Sequence, residues 1–144
     1  MSVALNSIDE LADNFELLGD WESRFGYLID LGKELPPMDA ADQSEVNRVH
    51  GCQAQVWMKL LPEAAGRITI VADSDAFIVK GLISVLLIIY SGKTAKEILA
   101  IDCQVLLDRL QLAAHLSPTR KNGLFAMVQR VRELAQAIEV EAAE

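Results

Sequence analysis

The chain has 144 residues, is 51% apolar, carries a net charge of −8 and contains two cysteines. That is the size of one domain with enough apolar surface for a single core, while two cysteines are too few for a disulfide framework and point to a reducing compartment. The charge is uneven: residues 1–47 hold 11 of the 21 acids and only Arg24 and Lys33 as bases, a local balance of −9 against +1 for the remainder, which disfavours nucleic acid as a partner.

Met1 to Asn6 show no basic region followed by an apolar run, so no secretory signal is expected. The longest apolar stretch, 76–90, contains Lys80 and is too short to cross a bilayer comfortably. A cytoplasmic protein without a membrane partner is the expectation. No repeat, linker or low-complexity run divides the chain, so residues 1–144 read as one domain.

In chain order, Ser7-Ile8-Asp9-Glu10 has the pattern of a capping box. Ile8, Leu11, Ala12, Phe15 and Leu18 then recur at helical spacing until Gly19. Asp20 caps a second helix carrying Trp21, Phe25, Leu28 and Leu31, which Gly32 and Pro36-Pro37 should stop. Residues 38–45 read as loop, and 46–49 as a short strand. From Gln53 the period is two, with Ala54, Val56, Met58 and Leu60 on one face. After the turn 62–66, Ile68, Ile70 and Ala72 share a face of a second strand, which makes a hairpin. With 46–49 added, the expected fold is α+β, a small three-stranded antiparallel sheet with helices packed on one side.

Asp73-Ser74-Asp75 should cap an apolar helix, 76–90, at the centre of the core. Thr94-Ala95-Lys96-Glu97 is a second capping box. Asp102 caps a helix with Val105, Leu106 and Leu110 on its apolar side. Ser117-Pro118 opens the last helix, whose buried stripe is Leu124, Met127, Val128, Val131, Leu134 and Ile138.

Candidate chemistry centres on Cys52, which lies at a turn in Asn47-Arg48-Val49-His50-Gly51-Cys52-Gln53. Gly51 lets another molecule approach the backbone closely, and Arg48 and His50 can place positive charge near the sulfur and favour the thiolate. On these features alone a working thiol and a structural cysteine both stay open. Cys103, between Asp102 and Gln104, reads as a packed thiol. His50, Cys52, Cys103 and His115 suffice in number for zinc but are not spaced as a finger or knuckle, so no metal is expected. No phosphate loop, Gly-x-Ser-x-Gly elbow or Cys-x-x-Cys pair is present. His115 reads as a local hydrogen-bonding residue, Arg120 and Lys121 as a solvated pair, and Trp57 as packing on the hairpin.

Taken together the motifs resemble the SufE family of sulfur acceptors, which includes the CsdE proteins. The resemblance rests on Leu31-Gly32-Lys33-Glu34-Leu35-Pro36-Pro37, on 47–57 (Asn-Arg-Val-His-Gly-Cys-Gln-Ala-Gln-Val-Trp), and on Ala72-Asp73-Ser74-Asp75-Ala76. Ile78-Val79-Lys80-Gly81-Leu82-Ile83, His115-Leu116-Ser117-Pro118-Thr119-Arg120, Asn122-Gly123-Leu124 and Ala126-Met127 follow in order. It implies that Cys52 takes the place of the persulfide-forming cysteine. Arg48, His50, Gly51, Gln53 and Arg120 are the expected supporting residues. It also implies a pyridoxal-phosphate cysteine desulfurase of the SufS or CsdA type as sulfur donor, with a downstream iron–sulfur scaffold or other thiol as acceptor. The cofactor belongs to the donor, so this chain needs none and is an accessory protein rather than an enzyme.

The same fold likeness extends to IscU-type cluster scaffolds, which supply the alternative. Those use three cysteines. Here the second region reads Asp73-Ser74-Asp75, and Leu116 follows His115 where the third is expected. A cluster needs several thiolates, so the departures argue against a scaffold.

Overall fold

The computed structural model describes residues 8–143, so the capping box expected from Ser7 falls partly outside it. Helix α1 (Ile8–Leu18) buries Ile8, Leu11 and Phe15 and stops at Gly19, whose φ of 82° ends the helix at little steric cost. Asp20 then caps α2 (Trp21–Lys33), its carboxylate accepting from the Ser23 amide at 2.8 Å.

Helix α2 does not stop at Gly32 as expected; it runs through it to Lys33. Gly32 is buried where α3 (Phe77–Tyr90) crosses, and a Cβ there would lie 2.6 Å from the Gly81 amide nitrogen. A Cβ on Gly81 would in turn collide with the backbone carbonyl of Leu28. These glycines serve contact between two helix backbones rather than a break in one of them. Helix α3 occupies the centre of the core, as its all-round apolar sequence requires, with Leu82, Ile83, Val85, Leu86, Ile89 and Tyr90 buried.

Among the described residues the sheet has two strands, not three. Strand β1 (Val56–Pro62) pairs antiparallel with β2 (Ile68–Ser74), Met58 facing Ala72 and Leu60 facing Ile70. Of the residues the alternation marks, Val56, Met58, Ile68, Ile70 and Ala72 are buried, while Ala54 and Leu60 are only partly so. Residues 45–47 form a 3₁₀ turn instead of a strand. Only Arg48 makes a bridge, to Trp57, and the Val49 amide donates to the Val56 carbonyl at 2.8 Å. The reason is local: one bridge and one ladder bond are all that fit before Gly51 turns the chain at φ 91°. Beyond β2, Arg67 bridges Thr94, and the Ile68 amide donates to the Lys93 carbonyl.

Asp73-Ser74-Asp75 does not cap α3. Strand β2 runs through Ser74, and Ala76, with no polar side chain of its own, occupies the cap position, its amide donating to the Ser74 hydroxyl at 3.2 Å. The buried Asp73 carboxylate instead accepts from the Met38 amide at 3.3 Å and lies 3.5 Å from Lys80 Nζ. Both bonds of the Thr94/Glu97 capping box form at the start of α4 (Ala95–Ala100). Asp102 caps α5 (Cys103–Leu110), but its buried face is Cys103, Leu107 and Leu110, while Val105 is 60% exposed. Gln111, at φ 58°, separates α5 from an unexpected short helix α6 (Leu112–His115). Helix α7 (Pro118–Ala143) closes the fold, burying Leu124, Met127, Val131 and, beyond the expected stripe, Ala135, while Val128, Leu134 and Ile138 of that stripe are only partly buried. Among the described residues no helix is long and apolar enough to cross a membrane.

Candidate functional site

The segment that follows the Arg48 bridge crosses the start of α7. Gly51 is the turning point, and a Cβ on it would sit 3.3 Å from the Cα-attached methyl of Ala126, on top of its positive φ. Cys52 comes next, half-buried, with its thiol 3.5 Å from the Gly123 carbonyl oxygen, to which it donates. A Cβ on Gly123 would sit 3.5 Å from the sulfur, in ordinary van der Waals contact, so Gly123 lies directly against the Cys52 side chain. Downstream, the Gln55 amide donates to the Asp75 carboxylate at 3.0 Å, and the Asp75 amide donates to the Gln55 carbonyl at 3.2 Å. The Cys52 segment is therefore held at both ends, by a bridge to β1 and by a pair of bonds to the β2–α3 junction.

The sulfur opens onto a cavity of about 350 Å³ whose walls include Gln53, Asp75, Ile78, Arg120 and Met127. That volume accommodates another sulfur atom on Cys52 with room to spare. Arg120 and Gln53 thus stand with Cys52 at one site, while His50 does not. The His50 imidazole is exposed and sits 2.6 Å from the Glu45 carboxylate. Arg48 is the cation whose field favours the Cys52 thiolate, but burial outweighs it and pushes the thiol above its ordinary range. The expectation of a thiolate supported by both residues is corrected on that point: the resting sulfur is sheltered more than it is activated.

One outcome follows for Arg48. Removing it leaves burial unopposed, so the thiolate fraction at a given pH falls. Alkylation of Cys52 by iodoacetamide is expected to be slower in Arg48→Ala than in the parent at neutral and mildly alkaline pH. The two rates converge at high pH, where both thiols are ionised. Equal rates at pH 7 would mean that the Arg48 charge does not reach the sulfur.

Cys103 is 5% exposed, and its thiol is also raised, chiefly by burial, with the buried Tyr90 hydroxyl and Arg132 acting in the opposite direction. His115 stacks on Trp21 with ring centres 4.0 Å apart and planes 18° apart, so its role is ring packing rather than local hydrogen bonding. Trp57 is half-buried beside the Arg48 bridge. Among the described residues no three His, Cys, Asp or Glu side chains gather as metal ligands. Asp75 and Gly123 are site residues that sequence reasoning missed. A glycine in mid-helix beside apolar neighbours was the available signal for the second.

The family model described as SufE, Fe-S metabolism associated domain, matches residues 9–135. The chain belongs to the SufE family. An uncharacterized SufE-like protein of Rhizobium meliloti is 40% identical over 137 residues, covering 92% of this chain and 96% of that one. A solution structure of a hypothetical protein from Thermus thermophilus superposes with a TM-score of 0.71 at 21% identity, over 90% of this chain and 96% of the other. That likeness supports the α+β fold. Membership of the SufE family places the chain in iron–sulfur metabolism.

Proposed function

We propose that this SufE-family protein is a sulfur carrier: Cys52 takes a sulfur atom from the persulfide of a cysteine desulfurase and passes it to a thiol on the way to cluster assembly. The observation that carries this reading is a single cysteine at the mouth of a cavity larger than its own side chain, on a segment tethered at two points.

The chemistry is thiol exchange. The Cys52 thiol gives up its proton to solvent. Its thiolate attacks the outer sulfur of the donor persulfide, a sulfur–sulfur bond forms on Cys52, and the donor cysteine leaves as a thiolate that takes up a proton. The next acceptor repeats the step on Cys52. No redox equivalent is consumed, because one persulfide replaces another. The raised thiol fits a carrier that is quiet when alone: burial suppresses the thiolate and limits access of reductants to the loaded sulfur. Docking must then lift the segment from the Gly123 carbonyl, with Gly51 supplying the backbone freedom.

The scaffold alternative needs more thiolates than the site offers. Leu116 is buried, and Asp73 is bound to Met38 and Lys80.

The decisive experiment incubates the protein with a cysteine desulfurase and cysteine and locates the added sulfur by peptide mass spectrometry. Cys52 is expected to gain one reducible sulfur, and Cys103→Ala to gain it equally. Accumulation on Cys103, or a need for both thiols, defeats the single-cysteine relay.

A further inference from the structure

On the other side of the Cys52 segment lies a second hollow, of about 430 Å³, between residues 45–50 and the middle of α7. Two arginines line it. The Nε atoms of both Arg48 and Arg130 are buried and meet no hydrogen-bond acceptor among the described residues. Two carboxylates line the same hollow and are already engaged, Glu45 with His50 at 2.6 Å and Glu133 with Arg130 at 3.5 Å. Arg48 is left without a counter-charge among the described residues. The rim carries Val46, an apolar side chain that is 81% exposed.

A guanidinium has five donors in a rigid fork and no acceptor, so Arg48, the arginine of this hollow with no ion pair of its own among the described residues, fits a further carboxylate. Val46 narrows the choice of carrier. A free carboxylate has no use for an exposed valine at the rim, whereas a protein surface covers an apolar contact and a charged one together. Arg48 is also four residues from Cys52, so whatever seats here lies beside the sulfur.

We infer that the Arg48/Arg130 hollow receives an acidic side chain of the sulfur-donating protein, with Val46 covered in the same contact. This rests on the carrier reading above for the identity of the partner. The unpaired Arg48 then gains a bidentate counter-charge that it lacks in the free chain. Recognition is anchored on the nucleophile's own segment, so only a donor that fits this hollow is aligned with Cys52.

The test measures the affinity of a purified desulfurase for the parent, Arg48→Glu, Arg130→Glu and Val46→Asp proteins by isothermal titration at two salt concentrations. Melting temperatures verify that each variant is folded; Val46 is exposed enough that its substitution leaves the core alone. Each reversal is expected to weaken binding by about tenfold or more, Val46→Asp to weaken it too, and Arg48→Lys to recover part of the loss. Reversing the matching acidic residue of the desulfurase should restore affinity to Arg48→Glu while weakening the parent complex. Affinities unchanged in all three folded variants, or a parent that does not bind the desulfurase, overturn the inference. So does acetate saturating the Arg48 and Arg130 side-chain resonances while desulfurase affinity is indifferent to both reversals, which would mark a small-carboxylate site. A parent that binds through Arg48 but gains no sulfur on Cys52 contradicts the carrier reading alone.

Discussion

Cys52→Ser is expected to lose sulfur gain completely, and with it stimulation of desulfurase turnover, while binding to the desulfurase persists. A hydroxyl is almost wholly protonated at any pH the protein survives and does not carry a transferable sulfur, so the effect is all or none. The fold should tolerate the change. The side chain is half-buried against the Gly123 carbonyl, and a serine hydroxyl can donate to the same oxygen. The expected stability change is within about 1 kcal/mol. Docking and sulfur acceptance use different atoms, which is why they separate in this variant. A Cys52→Ser protein that stimulates turnover as well as the parent would make the chain an allosteric adaptor and end the carrier mechanism. Turnover assays with and without the variant, alongside a binding titration, decide it.

The second large effect concerns the α2–α3 crossing. Gly81→Ala is expected to destabilise the protein by about 3 kcal/mol, at the upper end of overpacking costs. The added methyl meets the carbonyl and backbone carbon of Leu28, which cannot rotate away as a side-chain tip would. Relief requires the helices to separate, and α3 carries Ile78 and Leu82 of the cavity wall, so the sulfur site should loosen as well. Gly26→Ala is the control. It lies on the same α2, with nothing within 4 Å of its added Cβ. It should gain about 0.5–1 kcal/mol from helix propensity. Urea unfolding measures both, as a shift in midpoint at constant slope. Similar midpoints for the two variants would show that the crossing has slack.

Local periodicity exposed most of the architecture. The hairpin's inward residues, the capped starts of α2 and α4, and the central place of α3 all follow from short-range pattern, because burial selects one face of each element. What stayed hidden depends on neighbours distant in sequence. Gly32 looks like a helix stop until Gly81 is beside it. Asp75 looks like a helix cap until the Gln55 amide is beside it. Val46 to Val49 look like a short strand because two valines bracket the start of the alternating run, yet only Arg48 and Val49 reach β1. Cys52 was legible as the candidate nucleophile from its turn and its family motif. The balance between Arg48 and burial was not, because desolvation is set by Gly123 and α7, about seventy residues away.

The bridge between Arg48 and Trp57 has a consequence for the proposed carrier role in a crowded cell. A two-stranded sheet has two open margins, and each here is occupied by a short stretch of chain, Arg48–Val49 along β1 and Lys93–Thr94 along β2. Unpaired backbone along such a margin is a template for strands of other molecules. The piece guarding β1 is continuous with the piece that bears Cys52. Lifting residues 48–52 far enough to present the sulfur frees the Val56 carbonyl along with it. In the proposed relay the reactive posture is then also the adhesive one, and a donor that covers the freed margin would protect the chain from polymerising during the interval in which its cysteine is exposed.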